Sequence, residues 1–387
     1  MKNWIVILSI VVLASCKVDE MTVHVSNPSD VAHEQTTVEI IWADVVAKLP
    51  AVDPSKVVVV DAETGKELEH QIIYLGEQTP QMIIFQVTLA PNESIKLLIR
   101  KGTPKQPEPK TFGRFVPERK DDFAWENDRI AFRMYGPALA PENPSNGVDI
   151  WMKKTEKLIV DQFYNDDLNN NKSYHVDHGE GLDCYKVGKT LGCGGVAPFV
   201  NDMLWVGNHF VTHETLDNGP LRTTFRLTYD NLPVENEIYS KNIVISIDAG
   251  SQLNKAVVSF DGNFADIKVA TGFRLPEMFD NYTGTTVLHN HANAGYIALS
   301  ETATSDAGVP AGNTYVATVI PPDGKMIENL CQQDHWLLIV PYQKGERFTY
   351  YFGGGWSQWG FPTDQTWFGY VSAFVEKLKN PLIIMVE

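Results

Sequence analysis

Short runs of β-branched and aromatic residues, interleaved with polar positions and broken by turn residues, dominate the chain. Residues 38–41, 57–60, 71–74, 82–87 and 95–99 follow one another in this way, with Asp61-Ala-Glu-Thr-Gly65 as a turn between two of them. The stretch 101–110 holds three prolines among charged residues and reads as an exposed linker or a long crossing loop. Strand patterning resumes at 129–134, 222–229, 241–247, 256–260, 314–319, 336–340 and 348–351, the last running into Gly353-Gly354-Gly355, a signal for a tight turn or a close approach. One stretch has helical period: Trp367, Tyr370, Val371, Phe374, Val375 and Leu378 recur at three- and four-residue steps, and Asn380-Pro381 ends it. No repeat of fixed period and no low-complexity tract interrupts this. The pattern predicts an all-β fold, a large antiparallel β-sandwich of the supersandwich kind, with a short C-terminal helix.

The first residues depart from it. Lys2 precedes the apolar run 4–13, which is too short to span a bilayer and reads as a secretion signal. Leu13-Ala14-Ser15-Cys16 closes the run and resembles a bacterial lipobox, in which the signal is cut before the cysteine and lipid is attached to it. An ordinary secretory signal with an incidental cysteine is the alternative. The expected organisation is a signal peptide at 1–15, a tether at 16–24, an N-terminal β region at 25–110 and a main β-sandwich at 111–387 that carries the chemistry. The expected location is lipid-anchored in the outer membrane, on the periplasmic side or the cell surface.

Composition narrows the partners. Hydrophobic content of 43%, charged content of 21% and aromatic content of 11% are those of a folded chain with ample core. A formal net charge of −16 makes nucleic acid and anionic membrane poor partners, while a local cluster of cations could still hold an anionic substrate. Besides Cys16 there are Cys184, Cys193 and Cys331. An odd number allows one disulfide at most; Cys184 and Cys193 are close enough in sequence to form it, or all three are small buried residues.

The densest chemistry lies in 174–195. Two histidines (His175, His178), three acids (Asp177, Glu180, Asp183), two tyrosines (Tyr174, Tyr185) and Lys186 occur among glycines that disfavour regular structure. Such a loop could carry a His/Tyr acid–base pair, ligate a metal, or simply bond His to Asp to hold itself in shape. Elsewhere, Arg222 and Arg226 would share one face of a strand and could clamp a carboxylate, and His289 and His291 would share another. Trp356, Trp359, Phe361 and Trp367 are candidate sugar-stacking platforms or core. The chain has no Gly-x-Ser-x-Gly elbow, P-loop or dinucleotide fingerprint.

The run His175-Val-Asp-His-Gly-Glu-Gly-Leu-Asp-Cys-Tyr-Lys-Val-Gly188, continuing through Thr190-Leu-Gly-Cys-Gly-Gly195, resembles a family of bacterial lipoproteins of unknown function encoded in polysaccharide-utilisation loci. So do Glu126-Asn-Asp-Arg-Ile-Ala-Phe-Arg133, Tyr135-Gly-Pro137, Gly147-Val-Asp-Ile-Trp151, Gly219-Pro-Leu-Arg222 and Ile247-Asp-Ala-Gly-Ser-Gln-Leu-Asn254, so that the likeness covers most of 25–387. Cys184 and Cys193 depart from it, standing where an aromatic and a small residue are expected, which puts a catalytic thiol in doubt. The resemblance implies work on uronate-containing oligosaccharides, specifically a dehydratase of ulvan breakdown that removes water from a non-reducing-end glucuronate or iduronate and leaves a 4,5-unsaturated uronate. A lyase, a glycoside hydrolase and a non-catalytic glycan-binding lipoprotein are the alternatives. For the dehydratase, His175 or His178 is expected as base and Tyr174 or Tyr185 as acid. Arg222 is expected to neutralise the carboxylate, and Lys186, Glu180, Asp183, Trp356 and Trp359 to bind substrate. No metal or cofactor is expected.

Overall fold

A computed structural model describes residues 20–142 and 145–387; the signal segment and Cys16 lie outside the described residues. The order of the strands follows from where each buries its apolar face. Two small antiparallel sheets form an N-terminal sandwich: Ile383–Val386, Glu20–Ser26, Ser94–Lys101, Val57–Asp61 and Glu67–Leu68 on one side, and His33–Ile41, Met82–Leu89 and His70–Ile73 on the other. Their inward residues, Val23, Val25, Val38, Ile40, Ile83, Phe85, Leu97 and Ile99 among them, make one separate core. The first strand starts at Glu20, inside the stretch expected as tether, and the last strand of the chain pairs with it, Val23 opposite Val386.

The main body stacks three antiparallel sheets. The largest has eight strands in the order Thr212–Asp217, Arg222–Val234, Glu237–Asp248, Leu253–Asp261, Phe348–Trp356, Pro310–Val319, Tyr296–Thr304 and Thr286–His291. A five-stranded sheet, Gly181–Leu182, Val148–Lys153, Ile130–Met134, Asp122–Asn127 and Thr111–Val116, packs Phe123, Trp125, Phe132, Ile150 and Met152 against Phe225, Leu227, Ile243, Ile245 and Phe352 of the large sheet. Full burial of one such phenylalanine is worth about 1.5–3 kcal/mol, so this interface alone fixes the two sheets face to face. A third sheet, running Met203–Leu204, Val196–Val200, Asp266–Arg274, His335–Gln343 and Glu328–Gln332, adds Val269, Phe273, Leu338 and Val340 to the same core. The all-β sandwich expected from the pattern is what forms.

Among the described residues three α-helices accompany the sheets: α1 (Trp42–Lys48), α2 (Val160–Asn170) and α3 (Asp364–Lys379). Only α3 was legible as a helical period. It begins with Thr363 and Thr366 bonding each other's backbone in a capping box, and its Trp367, Phe368, Val371 and Val375 lie on Tyr296, Ala298, Tyr315 and Ala317 of the large sheet. The glycine triplet does not end its strand. It lies within Phe348–Trp356, and a Cβ on Gly354 would stand 2.1 Å from the Tyr315 carbonyl oxygen. The close-approach reading of those glycines therefore holds.

Candidate functional site

The five-stranded sheet has a second face, and on it the chemistry collects. Alternation along Ile130–Met134 and Val148–Lys153 sends Phe132 and Ile150 to the core and leaves Ala131, Arg133, Asp149, Trp151 and Lys153 on the far side. There α2 and the loop that follows it cover the sheet, with Val160, Phe163, Tyr164 and Tyr174 packed on Ala124, Ala131 and Trp151. No side chain at the N-cap of α2 receives its first amides. Glu126 does so from the sheet: its Oε1 accepts from the amides of both Ile159 and Val160 at 2.7 Å, and its Oε2 accepts from Lys153 Nζ at 2.7 Å. A fully buried carboxylate is tolerable here because Lys153 and the helix N-terminus share its charge.

Arg133 occupies the centre of the covered face, almost entirely out of solvent. Its Nε and Nη2 donate to Asp149 Oδ2 at 3.0 and 2.7 Å, Nη2 also donates to Asp183 Oδ2 at 3.0 Å, and Nη1 donates to the Tyr174 hydroxyl at 2.9 Å. Tyr135 adds its hydroxyl at 3.3 Å and its ring beneath the guanidinium, and Asp122 stands 3.8 Å away. More carboxylates crowd this cation than one positive charge can balance. Burial and the neighbouring Asp149 together push the Asp183 carboxyl well above the ordinary aspartate range, against the pull of Arg133, so that it tends to keep its proton. Asp149 Oδ1, buried with it, has no hydrogen-bond partner. Burial likewise raises the Tyr174 hydroxyl.

His175 stands at the outer edge of this centre, partly exposed. Its Nδ1 lies 3.2 Å from the Asp183 carbonyl oxygen, 3.4 Å from the Asp183 carboxyl and 3.8 Å from Asp306. A carbonyl can only accept, so Nδ1 carries the hydrogen and the neutral ring keeps its lone pair on Nε2. That nitrogen can take a proton. Arg119 completes the group, a partly exposed guanidinium that comes to the Tyr174 hydroxyl and feels the Asp122 charge; among the described residues it has no carboxylate within ion-pair distance. Gly136 lets the turn before Asp122 pass close by, since a Cβ there would meet the Asp121 carbonyl oxygen at 2.0 Å.

The loop is pinned on its other side by a second buried arginine. Arg274 holds Glu301 through both nitrogens at 2.5 and 2.7 Å, donates to the Lys186 carbonyl at 2.5 Å and covers the Tyr185 ring at 4.0 Å. Tyr185 donates its hydroxyl to the Gly192 carbonyl at 3.0 Å.

Of the residues expected to act, then, His175, Tyr174 and Asp183 meet around one cation. Tyr185 is a buried clip. His178 is exposed and bonded to the Ser173 carbonyl at 3.1 Å, Lys186 points to solvent, and Glu180 accepts from Gln162 at 2.6 Å. Arg222 does clamp carboxylates, but they are the chain's own: Asp248 at 2.5 and 2.8 Å and Glu39 at 2.5 Å, at the seam with the N-terminal sandwich. Arg226 is paired with Glu214. Trp356 is buried with its indole nitrogen on the Ala311 carbonyl, and Trp359 is partly exposed beside Arg129. His289 and His291 stack on Phe368 and Tyr296. Cys184 and Cys193 are both free thiols, raised well above their ordinary range by burial, which makes poor nucleophiles of them. Among the described residues no group of three or more His, Cys, Asp and Glu side chains is arranged so that it could hold a metal ion.

Arg119, Arg133 and Asp149 were not singled out from the sequence. The available signal was a charged residue inside an apolar strand, as in Ile-Ala-Phe-Arg133-Met and Val-Asp149-Ile-Trp, because such residues enter a core only when paired.

Comparison with known proteins agrees with the fold. An α-mannosidase from Enterococcus faecalis V583 superposes with a TM-score of 0.50 at 11% identity, covering 95% of this chain and 46% of its own. A protein of glycosyl hydrolase family 38 from Enterococcus faecalis gives 0.50 at 10% identity, covering 95% and 47%. The chain spans less than half the length of either, and at such identity the likeness is one of fold. By sequence, uncharacterized protein P7 of Formosa agariphila is 30% identical over 326 residues, 80% of this chain and 79% of that one. The domain of unknown function DUF4861 matches residues 25–384, and the protein belongs to that family.

Proposed function

We propose that the chain is a carbohydrate-processing enzyme, a hydro-lyase that removes water by β-elimination from the non-reducing-end glucuronate or iduronate of ulvan-type oligosaccharides. The observation that carries this is the bare Nε2 of His175 at the edge of a buried centre holding a proton-retaining Asp183 and the Tyr174 hydroxyl. Elimination across C4 and C5 needs a base for the C5 proton, a cation for the adjacent carboxylate and an acid for the departing 4-hydroxyl. His175 Nε2 takes the proton. Arg119 receives the carboxylate, since Arg222 is already held by Asp248 and Glu39. Tyr174, with Arg133 on its oxygen and Asp183 behind it, gives a proton to the leaving hydroxyl. The C5–H and C4–O bonds break, the C4–C5 double bond forms and one water leaves, so no redox partner is needed. The glycosidase-like fold and the resemblance to lipoproteins of polysaccharide-utilisation loci both support a glycan substrate. On the same reading, acylated Cys16 holds the enzyme to the outer membrane.

Purified protein is mixed with a uronate-terminated oligosaccharide while the ultraviolet absorbance of a conjugated uronate and the product mass are followed. A product lighter by one water with the chain uncut supports the reading; two shorter fragments mean a lyase or hydrolase instead. Palmitate labelling that persists in Cys16→Ala rules out the anchor.

A further inference from the structure

On its solvent side the large sheet carries a cavity of about 520 Å³, remote in sequence from the His175 loop. Its polar lining includes Thr228, Asp230, Asn242, Ser259, Lys344 and Arg347, with Asp261 beside Lys344. The alternation explains why this patch is polar. Tyr229, Lys241 and Phe260 turn inward, Lys241 lying over the Tyr229 ring at 3.8 Å. Their neighbours Thr228, Asn242 and Ser259 turn outward and stand in register across three strands, continued by Thr212, whose hydroxyl bonds that of Thr228. Adjacent strands are roughly 4.8 Å apart, so the row presents hydroxyl and amide groups over a length suited to two sugar rings.

Charge at this place is uneven. Lys344 is neutralised by Asp261 at 2.8 Å, whereas Arg347, exposed just before Phe348, has no ion pair or hydrogen bond among the described residues, and Asp230, the other carboxylate of the lining, is not within ion-pair distance of it. In a chain of net charge −16, an unpaired guanidinium at the end of a hydroxyl ladder stands out. Neutral hydroxyls on a saccharide suit the ladder, and a carboxylate or sulfate ester suits the arginine, which can bind either in bidentate fashion.

We infer that this trough is a second saccharide-binding site, taking an anionic sugar unit of a glycan apart from the catalytic loop. It shares the ligand class of the proposed function but none of its residues. The test uses the whole protein and three disaccharides: one with its uronate at the reducing end, which the proposed elimination cannot consume, one carrying a sulfate ester, and one uncharged. Calorimetric titration should show at least one anionic disaccharide binding, weakened tenfold or more in Arg347→Gln and in Asn242→Ala, and unchanged in His175→Ala. Turnover of a uronate-terminated oligosaccharide should be unaltered by Arg347→Gln. The inference falls if neither anionic disaccharide binds, if the uncharged one binds equally well, or if binding is lost in His175→Ala and kept in Arg347→Gln. Arg347-dependent binding by a protein that shows no turnover would overturn the dehydratase reading and leave this one standing.

Discussion

Arg133 and Arg274 are alike in burial and in gripping the same loop, yet they are built to different ends. Arg274 meets one carboxylate, Glu301, fork to fork, with Thr314 donating to the same Glu301 from behind. Charges cancel, and each group is hydrogen-bonded. Arg133 faces Asp149, Asp183 and Asp122 together, with a carboxyl that tends to keep its proton and a carboxylate oxygen that bonds to nothing. A closed pair holds structure in place. An overcrowded one keeps a proton loosely assigned among several oxygens, next to a histidine that reaches solvent, and that is a condition for moving protons.

Breaking the closed pair should give the largest effect. Glu301→Leu leaves Arg274 buried and unbalanced and is expected to cost about 3–5 kcal/mol in denaturant unfolding. Arg274→Met combined with Glu301→Leu should recover most of that, which would mark the pair as structural. At the other arginine the effect should appear in turnover. His175→Ala is expected to lower the dehydration rate about a hundredfold or more while leaving the unfolding midpoint in place; full activity would remove the loop from the mechanism.

Asp183→Asn sharpens the contrast through pH. A carboxyl raised in the folded state binds more protons than the unfolded chain does above the ordinary aspartate value of about 3.9. Its contribution to stability is therefore complete below that value and is lost as pH rises toward the folded one. The wild type should lose stability over this range and Asp183→Asn should not, so the variant gains on the wild type as pH rises. A parallel pair of stability curves would show that Asp183 ionises normally. Smallest of all, Tyr174→Phe removes one hydrogen bond to a charged donor and should cost about 1–2 kcal/mol, together with activity if its proton reaches the leaving group.

The same contrast marks how far the sequence could be read. Inward and outward residues alternate from Phe225 to Tyr229 and from Tyr239 to Asp248, and α3 keeps a three–four period, so both were legible. α2 was not: Asp-Gln-Phe-Tyr-Asn-Asp-Asp-Leu-Asn-Asn is rich in residues that favour turns. Within the site, the loop at 174–195 stood out by density of chemistry, and His175, Tyr174 and Asp183 did converge. Their shared partner was hidden, because Arg133 and Asp149 are joined by strand register and lie 16 residues apart. Arg222 read as a free clamp for a like reason, since Asp248 is its cross-strand partner and Glu39 comes from another sheet.

The remote cap on α2 has a consequence for the order of events in folding. A helix of 11 residues with this composition does not persist alone, and its first amides are met only by Glu126, which must already be in a formed strand beside Lys153. The sheet therefore has to exist before α2 does, and the loop from Ser173 onward can settle only after α2 has docked. The segment bearing His175 is thus expected to be the latest part of this face to become ordered and the first to open in the native state. Backbone amides of 160–185 should exchange with deuterium faster than those of Ile130–Met134 beneath them, and a ligand seated at the loop should slow that exchange.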